Sequence, residues 1–460
     1  MKRLLVRMAV FIVTISLVLA GAFFSAGGMQ MLSRPTLPKA GQPPSLSADV
    51  AFFREVVLAN EAGVSTAQQA QFSKIIADAP VPTTADELTL LASRSLAAFD
   101  NAHTTVLKSR MYRLPFRVHW TADALIIVKT RPEYAGLLGR RILSLGERTP
   151  EALLERMPQL VGGGTKNWAR YRSAYFFSAP SALSFLGADV ERGAVEIRTA
   201  SPDGSEETRI LRADSALMRG DPFWDFLDAF PGDEHFETEG WVTLLRKNQD
   251  LPLYLQETDK FFLLRDLPEH DAIYVRMNAS FDDEAETVGQ FKRRILAQIK
   301  VSTPRSIIVD FRHNRGGDYS KVLPLVRALS NAVPVDGQLY LITGPNTFSA
   351  GLVAGSQFKR FLPDRLTIVG SEVGDKLRFR AEGFDPTLPK SQIQLYLTKG
   401  WSDLANGCGW FDDCWPPNKV LLRPIGSLDI DIHVENTWAA FRDGQDLVVN
   451  AVLDDIAQRS

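Results

Sequence analysis

Two short stretches of this 460-residue chain hold residue types whose spacing suits acyl chemistry. Residues 341–351 read LITGPNTFSAG and set Ser349 between an apolar strand pattern and an apolar helix pattern. A hydroxyl at a helix N-terminus meets unpaired N–H groups and the positive end of the macrodipole, which together stabilise an oxyanion formed beside it. Ser and Thr also cap helices at that position, so Ser349, or Thr347 before it, has a purely structural alternative. Upstream, SIIVDFRHNRGG ends a strand pattern in Gly316 and Gly317, whose N–H groups can turn toward a ligand with no Cβ in the way. With the N–H of Ala350 they would make an oxyanion hole; an ordinary glycine turn is the alternative.

These residues need a rigid frame, and the order of patterns along the chain supplies one. MKRLLVR carries Lys2, Arg3 and Arg7, and no charge follows from Met8 to Ser33. Residues 1–33 therefore read as a cleaved signal peptide, with Ala20-Gly21-Ala22 as a small-x-small site, or as a retained membrane anchor. Either places the folded part outside the cytoplasm, periplasmic or secreted. Residues 34–47 form a proline-rich linker. Residues 48–115 begin with apolar positions at helical spacing, including a Thr84/Glu87 capping-box signature, and make an N-terminal helical segment. Over 116–215, strand runs alternate with a helix at TPEALLERM and the glycine loop VGGGTKNW, a small α+β module. Residues 216–460 hold the strand–helix series AIYVRM, ETVGQFKRRILAQIK, SIIVDFR, YSKVLPLVRALSN, QLYLITG, FSAGLVAGSQFKRFL and LTIVG, which calls for an α/β sheet packed against helices.

Composition excludes several classes. The formal net charge of −2 gives no basic surface for nucleic acid. VGGGTK lacks the spacing of a phosphate loop and reads as a flexible loop, and no other nucleotide motif suggests a cofactor. His119, His235, His270, His313 and His433 are scattered without a metal-ligand pattern, so no metal is expected. Cys408 and Cys414, the chain's two cysteines, lie close together, and an oxidising compartment favours their pairing as a disulfide.

The ordered set VDFRHNRGG, TFSAG, IVGSEVGDK and FRDGQDLVVNAVL resembles the tail-specific (C-terminal processing) serine proteases over roughly residues 270–455, with fainter similarity back to FDNAHTTV. The resemblance implies a ClpP/crotonase-like α/β catalytic domain, Ser349 as nucleophile, and an active site lined by Asp310, Arg312 and Asn314 beside Gly316 and Gly317. It offers two bases. Lys376 falls where the family's lysine would, although Asp375 replaces the usual preceding glycine, and Glu372 and Asp375 favour its charged form. His103, in FDNAHT, resembles the histidine of tricorn-like members, with Glu372 orienting the hydroxyl network. An imidazole needs no large pKa shift to act near neutrality, which favours His103. GRRILSLGERTPEALLERM resembles the latter half of a PDZ domain, giving a degenerate PDZ-like module. The expected function is an exported serine endopeptidase acting on polypeptides, with membrane contact only through the N-terminal segment. The alternative is a non-catalytic binding protein for a lipophilic ligand or peptide on the same fold.

Overall fold

The computed structural model describes residues 2–41, 43–214, 240–245 and 250–459; the expected boundary at residue 216 and His235 lie outside the described residues. The N-terminal region is helical: α1 (Lys2–Ser25), α2 (Met29–Leu32), α3 (Leu46–Asn60), α4 (Thr66–Asp78) and α5 (Ala85–Ala97). Local chemistry sets the starts of the last two. Ser65 and Gln68 cap α4 reciprocally. At α5, Thr84 accepts from the Glu87 N–H at 3.1 Å, but the Glu87 carboxylate turns to the N–H and hydroxyl of Thr83, so the expected box is half formed.

β1 (Thr105–Lys108) follows, and then the module with β2 (Phe116–Trp120), β3 (Leu125–Thr130), β4 (Arg141–Leu145), α6 (Pro150–Leu154), α7 (Lys166–Phe176), α8 (Pro180–Phe185), β5 (Ala194–Ala200) and β6 (Glu206–Arg212), whose sheet β7 (Val242–Thr243) joins. Strands β2 to β6 pair antiparallel in sequence order, and β7 joins β3. All six residues of β3 are buried, because Leu125 and Ile127 face one cluster while Ile126 and Val128 face another.

The remainder comprises β8 (Phe262–Leu267), β9 (Ala272–Met277), α9 (Val288–Ser302), β10 (Ser306–Asp310), α10 (Tyr319–Ala332), β11 (Gln338–Thr343), α11 (Ala350–Phe361), β12 (Leu366–Gly370), β13 (Arg378–Ala381), β14 (Gln394–Tyr396), β15 (Gly400–Asp403), α12 (Pro416–Leu421), β16 (Ile432–His433), α13 (Trp438–Arg442) and α14 (Leu447–Arg459). Its central sheet runs β16-β12-β11-β10-β9-β8, parallel except at the β8 edge. Both faces are covered. Ile307 and Val309 pack with residues of α9, α10 and α11, while Ile308, Tyr274 and Tyr340 pack against Val448 and Val452 of α14. Burial on both faces explains why these strands read as near-continuous apolar runs.

Distant segments close the fold. β1 pairs antiparallel with β14, and α3 to α5 share a core with Leu388, Ile393, Leu395 and Leu397. Cys408 and Cys414 form a disulfide. Its loop holds the end of the N-terminal segment, where Trp410 Nε1 donates to Ser25 Oγ at 3.0 Å and Gln30 Nε2 donates to Asp413 Oδ1 at 2.8 Å. Among the described residues no helix is long and apolar enough to cross a membrane.

Candidate active site

Ser349 lies between β11 and α11 with φ 52° and ψ −125°, a backbone conformation that a non-glycine residue adopts only under constraint. It occupies the N-cap position, yet among the described residues its hydroxyl makes no cap hydrogen bond. Thr347 does not cap the helix either. Its hydroxyl accepts from the Gly344 N–H at 3.0 Å and donates to the Phe311 carbonyl at 2.8 Å, closing the loop that leads to Ser349.

The glycine turn presses directly on that serine. Gly316 and Gly317 have φ of 109° and 136°, and a Cβ on Gly316 would fall 2.5 Å from Ser349 Cβ and 3.0 Å from both Ser349 Oγ and Ala350 N. Only glycine fits there. Asn314 ties the pieces together: its Oδ1 accepts from the Gly316 N–H and from Ser280 Oγ, each at 3.1 Å, and its carbonyl accepts from the Phe348 N–H at 3.0 Å. The Gly316 N–H is thus engaged in its own turn. The Ala350 N–H, in the first turn of α11, has no intrahelical acceptor and is available to a ligand.

His103 arrives from the other end of the chain and is 7% exposed. Its ring stacks between Phe348, the neighbour of Ser349, at 4.3 Å and Phe379 of β13 at 5.0 Å. Phe348 stacks in turn on Trp168 of α7 at 4.1 Å. At the ring edge, His103 Nδ1 lies 3.1 Å from Asp375 Oδ2, a close contact short of hydrogen-bond alignment. Burial pushes the Asp375 carboxyl above its ordinary range, and the neighbouring imidazole partly opposes that rise.

The segment bearing His103 is fixed by a buried polar network. Thr104 Oγ1 and Thr398 Oγ1 donate to Glu61 Oε1 at 2.6 and 2.7 Å, Asn101 Nδ2 donates to Thr104 Oγ1 at 2.8 Å, and Arg380 lies 3.7 Å from Glu61. Burial raises the Glu61 carboxyl, against the hydrogen bonds from Thr104 and Thr398. The VGGGT run is a packed wedge against this segment, where a loose loop was expected. A Cβ on Gly162 would meet the Ala97 carbonyl at 2.7 Å and one on Gly163 the Ala102 nitrogen at 2.5 Å, so the glycines are required by close approach. Thr165 N–H then donates to the Gly374 carbonyl at 3.0 Å, beside Asp375.

The other sequence-derived residues are placed differently. Lys376 points outward, its side chain 53% exposed and its Nζ 3.4 Å from Asp100 Oδ2. Glu372 is exposed, its carbonyl accepting from Asn167 Nδ2 at 3.1 Å. Asp310 and Arg312 form a buried cluster: Tyr274 Oη donates to Asp310 Oδ2 at 2.6 Å, and Arg312 NH2 lies 2.8 Å from Asp310 and 3.0 Å from Asp446. Asp375, Phe348 and Phe379 escape sequence reasoning, because their relation to His103 depends on bringing together three distant segments. The signal present for Asp375 was an acidic residue where a glycine was expected. Among the described residues no group of three His, Cys, Asp or Glu is placed to hold a metal ion.

No family model matches the chain, and no curated protein matches it. Solved structures do. A structure of mature CPAF aligns with 12% identity and a TM-score of 0.56 over 89% of this chain and 96% of that one. Mature CPAF complexed with lactacystin aligns with 12% identity and a TM-score of 0.54 over 89% and 98%. The photosystem II D1 C-terminal processing protease aligns with 10% identity and a TM-score of 0.36 over 85% and 93%. The chain thus shares the mixed α/β fold of mature CPAF, in line with the α/β class expected from its strand–helix series.

Proposed function

We propose that the protein is an exported serine endopeptidase in which Ser349 is the nucleophile, His103 the general base and Asp375 the group that orients His103. The observation that carries this reading is the clamped imidazole: its Nδ1 is 3.1 Å from a buried carboxylate and its face rests on the residue before Ser349. With Nδ1–H turned toward Asp375, Nε2 keeps the lone pair that a base needs. Contacts of this kind are often long before substrate binds and tighten in the complex.

In the proposed reaction Ser349 Oγ attacks the scissile carbonyl carbon while its proton passes to His103 Nε2. The Ala350 and Gly317 N–H groups hold the oxyanion at the start of α11. Collapse breaks the C–N bond, and the leaving amine takes the proton from His103. Water, deprotonated by His103, then cleaves the acyl ester and restores Ser349. Lys376 is not assigned this role, since its side chain points outward and its amine pairs with Asp100.

Export is supported by the charged-then-apolar N-terminal stretch and by the disulfide, which suits an oxidising compartment. Polypeptide substrates are inferred from the protease fold. The test is hydrolysis of a disordered polypeptide by the full chain. Cleavage by wild type that vanishes in Ser349→Ala supports the reading, whereas equal cleavage by both proteins rejects it.

A further inference from the structure

Apart from the residues proposed for catalysis, a cavity opens between the module and the C-terminal ends of the parallel strands. β2 contributes Val118, His119 and Trp120 to its wall, and α7 contributes Ala174. Asn346, in the β11–α11 loop, lines the opposite side. Clefts outside the carboxyl ends of parallel strands are where α/β sheets commonly take ligands.

Asn346 gives the cavity its polarity. The residue is 2% exposed, and its side-chain nitrogen has no hydrogen-bond partner among the described residues. A buried donor left unpaired costs free energy that a ligand acceptor would recover. The charges around it are committed elsewhere. Arg170 pairs with Glu435 at 2.8 Å, and Arg312 pairs with both Asp310 and Asp446. Both guanidiniums in the wall are thus already paired with carboxylates, which disfavours recruitment of an anion. The histidines do not reverse it. Burial, with Arg170 adding, lowers His119 to about 4, and burial followed by Arg312 lowers His313. His119 is half-buried and lines the cavity.

We propose that this cavity is a binding site for a small uncharged ligand, largely apolar and carrying a carbonyl-type oxygen that accepts from Asn346. The apolar body lies against Val118, Trp120 and Ala174. Such a ligand would touch the loop that ends on Ser349 without occupying Ser349, so binding does not depend on catalysis.

The test uses the full chain, as wild type and as Ser349→Ala, titrated with Nile red, a neutral dye with a carbonyl acceptor, and with the anionic dye 1-anilinonaphthalene-8-sulfonate. The expected result is saturable Nile red binding at one equivalent in both proteins. It weakens at least about tenfold when the cavity is filled by Ala174→Phe and about fivefold in Asn346→Leu, the scale of one neutral hydrogen bond. The anionic dye should show no binding that Ala174→Phe removes. Val434→Phe fills the cavity from another wall and replaces Ala174→Phe if that variant fails to fold. Nile red binding unchanged by the filling variants, or an anionic dye bound in the cavity as tightly as the neutral one, would overturn the proposal.

Discussion

Ser349 holds a positive φ that glycine would adopt without strain, and that contrast separates its chemical from its structural value. Ser349→Gly should abolish hydrolysis and, in urea unfolding, raise stability by about 1 kcal/mol through relief of backbone strain. A loss of stability would show that the hydroxyl supports the fold. Asp375 makes a second prediction of opposite-looking effects. Its carboxyl pKa is raised in the fold, so the folded protein binds the proton more tightly than the unfolded chain does. Ionisation therefore costs stability as pH rises from the ordinary carboxylate range through the folded value, and the cost is absent below that range. Asp375→Asn removes this dependence: melting temperatures should move in favour of the variant from acid to neutral pH, while kcat falls about 10²- to 10⁴-fold as His103 loses its orienting acceptor. Unchanged kcat would remove Asp375 from the site. At this scale the sequence exposed Ser349 and the glycine pair, because a strand, a turn and a helix adjoin in the chain. It did not expose Asp375, whose proposed role rests on burial beside a residue from another region.

The elements that place these side chains meet through glycine. Gly374 precedes Asp375, and a Cβ there would lie 2.3 Å from the Pro345 carbonyl, 3.0 Å from Trp168 and 3.4 Å from Phe348. The β12–β13 connection, α7 and the Ser349 loop therefore converge on one position with no room for a methyl group. Gly374→Ala should destabilise by about 2 kcal/mol and depress kcat more than KM, because the shift required displaces Phe348 and the imidazole stacked on it. Thermal melts with steady-state kinetics would check this, and wild-type values for both would show that the convergence is loose. Helices α3 to α5 and the parallel strands were legible from apolar period and length. The glycine run at 162–164 was misread as loose because composition cannot distinguish a glycine that permits motion from one that permits contact.

Across the whole molecule, the site is assembled from the loop after α5, the segment before β13 and the start of α11, with the module's α7 bracing Phe348 through Trp168. No short window of sequence contains it. The order of motifs was sufficient for the α/β fold, since each strand–helix unit declares itself locally and a parallel sheet must then be covered on both faces. It was not sufficient for the proposed choice of base, since Lys376 and His103 differ in burial rather than in sequence context. The most direct measurement is the rate and site of fluorophosphonate labelling as a function of pH in wild type, His103→Ala and Lys376→Ala, each confirmed as folded. The account predicts a single label on Ser349, unchanged within about twofold in Lys376→Ala and slowed at least about 10²-fold in His103→Ala. Labelling at another residue, or full-rate labelling of Ser349 in the His103→Ala protein, would contradict it.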